Sequence, residues 1–236
     1  MYMRQRECSR YVMGVDEAGR GPLIGPMVVA GVAMCEELVG RLSRIGVDDS
    51  KVLSRSTRER LASIIEDVAA LIVRVEVPPR LIDEENLNVI ERNTIGFIVG
   101  RGVDILGDKL AEVYIDAVGD PSRITAVVRG VGFRGHVIVE PKADARYPIV
   151  GAASIIAKVY RDRAIDELRR VYGVRGSGYP TDPETIEWVR EAYVRDPENP
   201  PWFVRRSWKS LERIAPRWYK AKAVRRSGQR TLLDYL

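Results

Sequence analysis

Histidine and cysteine are nearly missing from this sequence of 236 residues, which holds one histidine, His136, and two cysteines, Cys8 and Cys35. A single histidine excludes metal sites that need two or three imidazoles. Two cysteines exclude a disulfide framework of several bridges and a four-cysteine zinc site. A site in this chain therefore has to be built mainly from other groups.

Long apolar runs are also absent, since no stretch approaches the roughly 18 apolar residues that a membrane-spanning helix needs. The N-terminal residues, MYMRQRECSRYVMG, carry charge without an apolar stretch behind them, so we expect no signal peptide and a reducing, cytoplasmic compartment. Hydrophobic residues make up 45% of the chain, enough for a sizeable core in one large domain or in one domain with a small satellite.

Several common nucleotide and hydrolase motifs are missing as well. A dinucleotide fingerprint starting at Gly19 would need a third glycine at position 24, where the chain has Ile24. No lysine-serine or lysine-threonine pair follows a glycine loop, and no G-x-S-x-G occurs. The segment Gly19-Arg20-Gly21 remains as a tight turn, which is either an ordinary β-turn or one whose backbone amides approach a ligand closely.

Apolar periodicity predicts strands first and then an alternation of strands and helices, which is typical of a mixed α/β domain. The β-rich runs predict strands at 11–15, 26–33, 73–77, 113–115 and 137–139. Helical spacing predicts helices at 58–70, 82–103 and 152–172, and mainly helical structure in about the last 60 residues.

Acidic residues stand at or just beyond the ends of three predicted strands, and they are Asp16, Glu17, Asp116 and Asp144. Sites in open α/β sheets form beyond strand ends, and converging carboxylates point to a hard cation such as Mg²⁺ or Mn²⁺. Neighbours on one strand face opposite sides, so Asp16 and Glu17 share a site only if the chain leaves strand geometry there. Position alone leaves open that all four are solvated surface acids.

Positive charge is concentrated near the C-terminus. Residues 201–230 hold ten basic side chains and a single acid, Glu212, whereas the rest of the chain is mildly acidic. Trp202, Trp208 and Trp218 interleave with these charges, a mixture that suits a polyanion such as nucleic acid. An amphipathic helix with a solvated basic face is the alternative.

The sequence around the first acids, Gly14-Val15-Asp16-Glu17-Ala18-Gly19-Arg20-Gly21-Pro22, resembles the signature of ribonuclease HII. The resemblance continues in family order through Asp48-Asp49-Ser50-Lys51, Tyr114-Ile115-Asp116, Lys142–Tyr147, Ala152–Asp162, Gly176–Pro183 and Arg205–Lys209. These blocks cover residues 14 to about 209.

The resemblance implies an RNase H-like fold, with a mixed central sheet flanked by helices and a C-terminal helical extension. It implies an endonuclease that cleaves RNA in RNA/DNA hybrids and at single ribonucleotides in duplex DNA, leaving 5′-phosphate and 3′-hydroxyl ends. Asp16, Glu17, Asp116 and Asp144 would be the catalytic acids and would hold two Mg²⁺ or Mn²⁺ ions.

The resemblance also implies substrate contacts. Gly19, Arg20 and Gly21 would present backbone groups to the 2′-hydroxyl and the neighbouring phosphates, and Tyr179 would pack against the deoxyribose on the 3′ side. Lys51 is a candidate phosphate contact. Lys142 and Lys158 are either phosphate contacts or charge partners of the acids.

We expect a catalytic domain at 9–172, a C-terminal helical substrate-binding region at 173–226 and a tail at 227–236. The tail resembles the box that binds the sliding clamp PCNA, with Gln229, Leu232 and Tyr235 spaced three apart and Leu236 replacing the second aromatic residue. We further expect a monomer.

Two other functions remain open from the sequence. One is a non-catalytic, clamp-tethered binder of nucleic acid, and the other is a different RNase H-like nuclease such as a junction resolvase.

Overall fold

The computed structural model describes residues 8–47, 53–116 and 118–222. Lys51 and its Asp48-Asp49-Ser50 neighbours lie outside the described residues, as do the clamp-box residues Gln229, Leu232, Tyr235 and Leu236.

A five-stranded sheet carries the fold. Its strands are β1 (Tyr11–Ala18), β2 (Met27–Cys35), β3 (Leu71–Val77), β4 (Leu110–Asp116) and β5 (His136–Glu140), in the spatial order β3-β2-β1-β4-β5. Strand β4 pairs in parallel with both β1 and β5. Strands β1 and β2 are apolar and buried along most of their length, as expected for strands covered on both faces.

Eight helices accompany the sheet among the described residues. They are α1 (Glu36–Arg44), α2 (Arg55–Val68), α3 (Pro79–Glu84), α4 (Leu87–Leu106), α5 (Pro121–Gly130), α6 (Pro148–Tyr172), α7 (Pro183–Arg195) and α8 (Ser210–Ile214). Side chains of Ser54, Asp120 and Asp182 accept N–H bonds at the starts of α2, α5 and α7, which satisfies donors that a helix start leaves unpaired.

The predicted alternation of strands and helices is confirmed, with differences in detail. The predicted helix at 82–103 is divided into α3 and α4, because Glu85 is extended and the Asn86 side chain accepts the Asn88 N–H at 2.9 Å. Helices α1 and α5 have no counterpart in the sequence prediction.

The expectation of a mainly helical C-terminal end is wrong for much of its length. Within the described part of that end, helix is confined to α7 and α8, and the chain between them turns without regular structure. Proline explains the interruptions, since Pro197, Pro200 and Pro201 follow α7 and Pro216 follows α8, and a proline cannot continue a helix without losing a backbone bond.

The described residues form two compact units. Unit 1 comprises 8–17, 29–47, 53–75, 92–116 and 118–159, and unit 2 comprises 18–28, 76–91 and 160–222. The core of unit 2 is a cluster of buried hydrophobic side chains that includes Phe203, Trp218 and Trp188. The sequence-based domain boundaries at 172 and 226 remain a prediction. Among the described residues, no helix has the length and apolar character needed to cross a membrane.

Candidate active site

Three carboxylates of unit 1 meet in one cluster. One oxygen from each of Asp16, Asp116 and Asp144 lies within 4.8 Å of the other two. Asp16 is 7% exposed and Asp144 is 4% exposed, while Asp116 is partly open to solvent. Because carboxylates avoid such crowding in an apolar setting unless something compensates their charge, the cluster has the character of a cation site.

The parallel pairing of the strands explains why these acids meet. Val15 of β1 pairs with Ile115 of β4, so the residues that follow them, Asp16 and Asp116, lie at the same level of the sheet. Asp116 in turn pairs with Glu140, the last residue of β5. Carboxyl ends of parallel strands share one edge of a sheet, so the predicted convergence of acids there is confirmed for these strands.

Asp144 reaches the cluster through a short turn after β5. Lys142 adopts a left-handed backbone with φ 61°, and a 3₁₀ turn at Ala143–Ala145 follows it. The Lys142 N–H donates to Asp116 Oδ1 at 3.0 Å, and the Asp144 N–H donates to Asp116 Oδ2 at 3.4 Å. The turn thus delivers Asp144 and also orients the carboxylate of Asp116.

The electrostatics of the cluster favour the protonated form of Asp16. Burial raises the pKa of Asp16 well above its ordinary value, and the negative charge of Glu17 raises that pKa further. Hydrogen bonds from the Ser154 hydroxyl and from the Glu17 N–H, the latter at 2.8 Å, oppose this rise. The pKa of Asp116 is also raised, mainly by burial.

Glu17 is not a member of the three-carboxylate cluster. Strand β1 continues through Asp16 and Glu17 to Ala18, so these neighbours point to opposite faces, as strand geometry requires. The departure from strand geometry that the sequence analysis required is therefore not seen at this point. A direct role for Glu17 in metal binding stays a prediction, although its charge acts on Asp16.

The Gly19-Arg20-Gly21 turn lies in unit 2, together with Tyr179. Gly19 has a φ of +90°, and a side chain there would meet the Pro26 carbonyl oxygen at 2.9 Å. A side chain at Gly21 would meet the Tyr179 ring at 3.6 Å, so these two predicted substrate residues are neighbours. The Tyr179 ring is 38% exposed and lies 5.1 Å from the guanidinium carbon of Arg161.

The side chain of Arg20 is held by helix α4. It forms an ion pair with the buried carboxylate of Glu91, and its Nη2 donates to Asn88 Oδ1 at 2.7 Å. The arginine of the turn thereby has a structural attachment in addition to any contact with a substrate.

Some residues of these two clusters were missed by the sequence analysis. Ser154 is fully buried on α6 and bonds Asp16, and its one sequence signal is a hydroxyl within an apolar helical segment. Glu91 has no sequence signal beyond its charge, and Arg161 falls in the Ala152–Asp162 block of the resemblance, which assigns it no role. Arg205, which was counted among the basic residues of a polyanion-binding end, is 0% exposed.

Known proteins resemble this chain over nearly its whole length. The Ribonuclease HII family model matches residues 13–211. A ribonuclease HII from Hyperthermus butylicus is 54% identical and covers 99% of this chain and 98% of its own.

Two solved structures give the same result. The crystal structure of ribonuclease H2 from Pyrococcus horikoshii OT3 has a TM-score of 0.79 at 41% identity, covering 88% of this chain and 98% of its own. A PCNA:RNase HII complex from Archaeoglobus fulgidus has a TM-score of 0.75 at 36% identity, with coverage of 94% and 99%. With the acidic cluster at the carboxyl ends of parallel strands, these likenesses show an RNase H-like fold, and the chain belongs to the ribonuclease HII family of ribonuclease H enzymes.

Proposed function

We propose that this protein is a metal-dependent endoribonuclease that cleaves RNA in RNA/DNA hybrids and at single ribonucleotides embedded in duplex DNA. The observation that carries the proposal is the meeting of Asp16, Asp116 and Asp144 with their oxygens within 4.8 Å. The catalytic acids are these three together with Glu17, whose charge bears on Asp16.

The donor set fits Mg²⁺ or Mn²⁺. All three clustered ligands are carboxylate oxygens, which hard divalent cations prefer over the nitrogen and sulfur ligands of zinc sites. Burial is the main cause of the raised pKa values of Asp16 and Asp116, and neighbouring carboxylates raise both pKa values further, so ionising these acids together calls for neutralisation of their charge. A bound cation would supply that neutralisation.

Phosphodiester hydrolysis needs an activated water and a stabilised leaving oxygen, and two divalent ions held by these acids would supply both. The residues of this chain hold the ligands in place. Ser154 and the Glu17 N–H fix Asp16, and the backbone N–H groups of Lys142 and Asp144 fix Asp116. The products are a 5′-phosphate and a 3′-hydroxyl.

Recognition of RNA belongs to unit 2 in this proposal. The 2′-hydroxyl is both a donor and an acceptor, and backbone groups at Gly19, Arg20 and Gly21 are suited to read it. Tyr179 supplies an exposed ring beside Gly21 for packing against the sugar on the 3′ side. Lys51 contacts a phosphate in the same proposal and lies outside the described residues.

The direct test is cleavage of a short DNA duplex that contains one ribonucleotide, with and without Mg²⁺ or Mn²⁺. We expect a single cut at the ribonucleotide that needs the cation and that Asp116→Asn or Asp144→Asn abolishes. Asp108→Asn, a surface substitution that removes the same charge, serves as the matched control and should cut like the wild type.

Two outcomes would overturn the proposal. Binding of the duplex without scission in either metal indicates a non-catalytic binder. Cutting of an all-DNA four-way junction at a comparable rate indicates a nuclease that does not require the 2′-hydroxyl.

We also propose that Gln229, Leu232, Tyr235 and Leu236 bind the sliding clamp PCNA. These residues lie outside the described part of the chain, and the proposal is supported by their spacing and by the PCNA complex of the Archaeoglobus fulgidus relative. Deleting 229–236 should abolish capture by the clamp and leave cleavage of the short duplex unchanged. Clamp capture that survives the deletion would contradict this assignment.

Removal of embedded ribonucleotides and of RNA primers is the cellular role that fits these activities. We propose that a monomer performs it in the cytoplasm.

A further inference from the structure

Arg205 is a fully buried arginine whose guanidinium faces the backbone of the Gly19–Gly21 turn. Its Nη2 donates to the Gly19 carbonyl at 2.7 Å, and its Nη1 donates to the Arg20 carbonyl at 3.1 Å. Its Nε donates to the Gly25 carbonyl at 2.9 Å, at the far end of the same loop. One planar side chain therefore ties down two carbonyls of the turn and one carbonyl of the segment that follows it.

The burial of this cation is costly to the fold. Burial, and to a smaller extent the nearby charge of Arg161, lower the pKa of Arg205 to about 9. Within the described part of the chain, the hydrogen-bond partners of Arg205 are carbonyls rather than carboxylates. A buried charge is tolerated where it is fully hydrogen-bonded, so the turn and the arginine satisfy each other.

Trp208 completes the set of contacts. Its indole Nε1–H donates to the Gly21 carbonyl at 3.0 Å, and its ring lies 5.1 Å from the guanidinium carbon of Arg205. All three carbonyls of Gly19, Arg20 and Gly21 thus accept bonds from two side chains that are close together in sequence.

Because each peptide group is planar, fixing the direction of a carbonyl also fixes the direction of the N–H group that follows it. In a trans peptide the C=O and the following N–H point in opposite directions. With the Gly19 and Arg20 carbonyls held toward Arg205, the N–H groups of Arg20 and Gly21 point away from it. Pro22, which follows Gly21, has no N–H to present.

We propose that Arg205 and Trp208 are positioning residues that fix the direction of the turn's amide groups and thereby set the selectivity for a ribonucleotide. The inference rests on the proposed recognition role of the turn. It assigns to these residues a function that differs from the phosphate contact suggested by their place in the basic C-terminal end.

The test uses the full-length enzyme and two variants. Arg205→Lys keeps the charge but loses the planar fork that bridges three carbonyls. Trp208→Phe keeps an aromatic ring and removes the indole N–H that donates to the Gly21 carbonyl. Arg206→Lys is the matched control, since the Arg206 guanidinium donates to the Trp218 carbonyl at 2.8 Å and is not among the donors to the turn's carbonyls.

Two constants are measured for each protein at a temperature where it is folded by circular dichroism. The first is KM for a duplex with one ribonucleotide, and the second is the inhibition constant of the all-DNA duplex of the same sequence. We expect the turn variants to raise KM by about tenfold or more, because a misplaced binding group loses its contact, while inhibition by DNA stays within about twofold. The control should change neither constant.

The possible outcomes separate the two proposals. A loss of folded enzyme alone would lower the apparent kcat with KM unchanged, and that result in both turn variants contradicts the positioning role. If Arg205→Lys does not fold, Trp208→Phe decides the matter. If wild-type enzyme binds both duplexes equally, the recognition role of the turn fails and this inference fails with it, whereas a wild-type preference that both variants retain overturns the inference alone.

Discussion

Asp16 is a residue whose ionised form is disfavoured in the folded chain. Its pKa is raised in the folded state by burial and by Glu17, relative to an ordinary aspartate in the unfolded chain. Between the unfolded and the folded pKa, the native state binds more protons than the unfolded state, so stability falls as the pH rises through that window. The destabilisation is absent below the unfolded pKa, grows through that window and is complete once the pH exceeds the folded pKa.

Replacing Asp16 with asparagine should therefore stabilise the metal-free protein while it removes activity. We expect a rise of about 1 kcal/mol, or roughly 2–4 °C in Tm, at neutral pH in the presence of a chelator, and a smaller difference in acid. Differential scanning calorimetry of wild type and variant at several pH values measures this difference in Tm. Asp108→Asn on the surface is the control and should shift Tm little, and a lower Tm for Asp16→Asn would contradict the prediction.

Replacing the two glycines of the turn by alanine should lower the stability of the protein by different amounts. Gly19→Ala forces a side chain into a left-handed backbone and against the Pro26 carbonyl, which should destabilise the protein by about 1–3 kcal/mol. Gly21→Ala meets only the Tyr179 ring at an ordinary contact distance, so its stability should stay within about 0.5 kcal/mol of wild type. Urea denaturation of both variants provides the comparison, and equal losses would show that the backbone at Gly19 is not the constraint.

At the scale of elements, a covalent link joins the segment before β1 to the end of β2. Cys8 and Cys35 form a disulfide, and Arg10 nearby pairs with Glu36 at the start of α1 and with Glu112 of β4. Two cysteines exclude a framework of several bridges, and nothing in the sequence predicts a single one. Two cysteines 27 residues apart carry no signal of pairing, because only the folding of β1 and β2 side by side brings them together.

The bridge should contribute to stability without touching the catalytic acids. For a closed loop of this length, loss of the bridge is expected to lower the unfolding free energy by about 3.5 kcal/mol. The variant Cys8→Ser/Cys35→Ser should show that loss together with unchanged cleavage of the ribonucleotide duplex. Adding a thiol reductant should bring wild-type Tm down to that of the variant and leave the variant itself unaffected, so a reductant-insensitive wild type would argue against the link.

Helices and strands were predicted correctly where the pattern of apolar residues was sufficient to identify them. The β-rich runs located all five strands, since β1 and β2 are largely apolar and buried while β3 alternates valine with charged residues. Helix α5 was missed because its signal lies in its start, where Pro121 follows the capping residue Asp120, rather than in a long apolar stripe. The C-terminal end was misjudged because apolar spacing there serves a turn-rich core around Phe203 and Trp218.

Site residues were likewise predictable where the strand pattern indicated them, and not where they depend on tertiary contacts. Convergence of Asp16, Asp116 and Asp144 was foreseeable because strand ends share an edge. The resemblance placed Glu17 with them, which strand geometry allows only if the chain leaves it at that point, and β1 keeps its strand geometry there. The contacts of Ser154 and Arg205 were not foreseeable. They depend on the distance between segments that are far apart in sequence, and composition does not encode that distance.

At the scale of the whole molecule, the basic C-terminal end is less uniform than its sequence indicates. Arg205 is buried under the turn, Arg206 bonds a carbonyl and Arg217 is paired with Glu198. Lys209, Arg213 and Lys220 are exposed in the described part of that end, which leaves them available for phosphate contacts. The attraction to a polyanion should therefore come from particular side chains and not from the total charge.

Replacing the three exposed cations by glutamine tests whether these side chains, and not the total charge, attract the polyanion. In Lys209→Gln/Arg213→Gln/Lys220→Gln, we expect duplex binding to weaken and the slope of log K against log salt to flatten by up to about 2.7, since each lost phosphate contact removes about 0.9. Fluorescence anisotropy across a salt series measures the slope. The matched control replaces three exposed arginines outside the C-terminal end with glutamine, each paired with an acid three residues away along the chain: Arg101, Arg123 and Arg170. Since both triple variants change the net charge equally, an identical flattening in the control would mean that overall charge, and not this surface, attracts the nucleic acid.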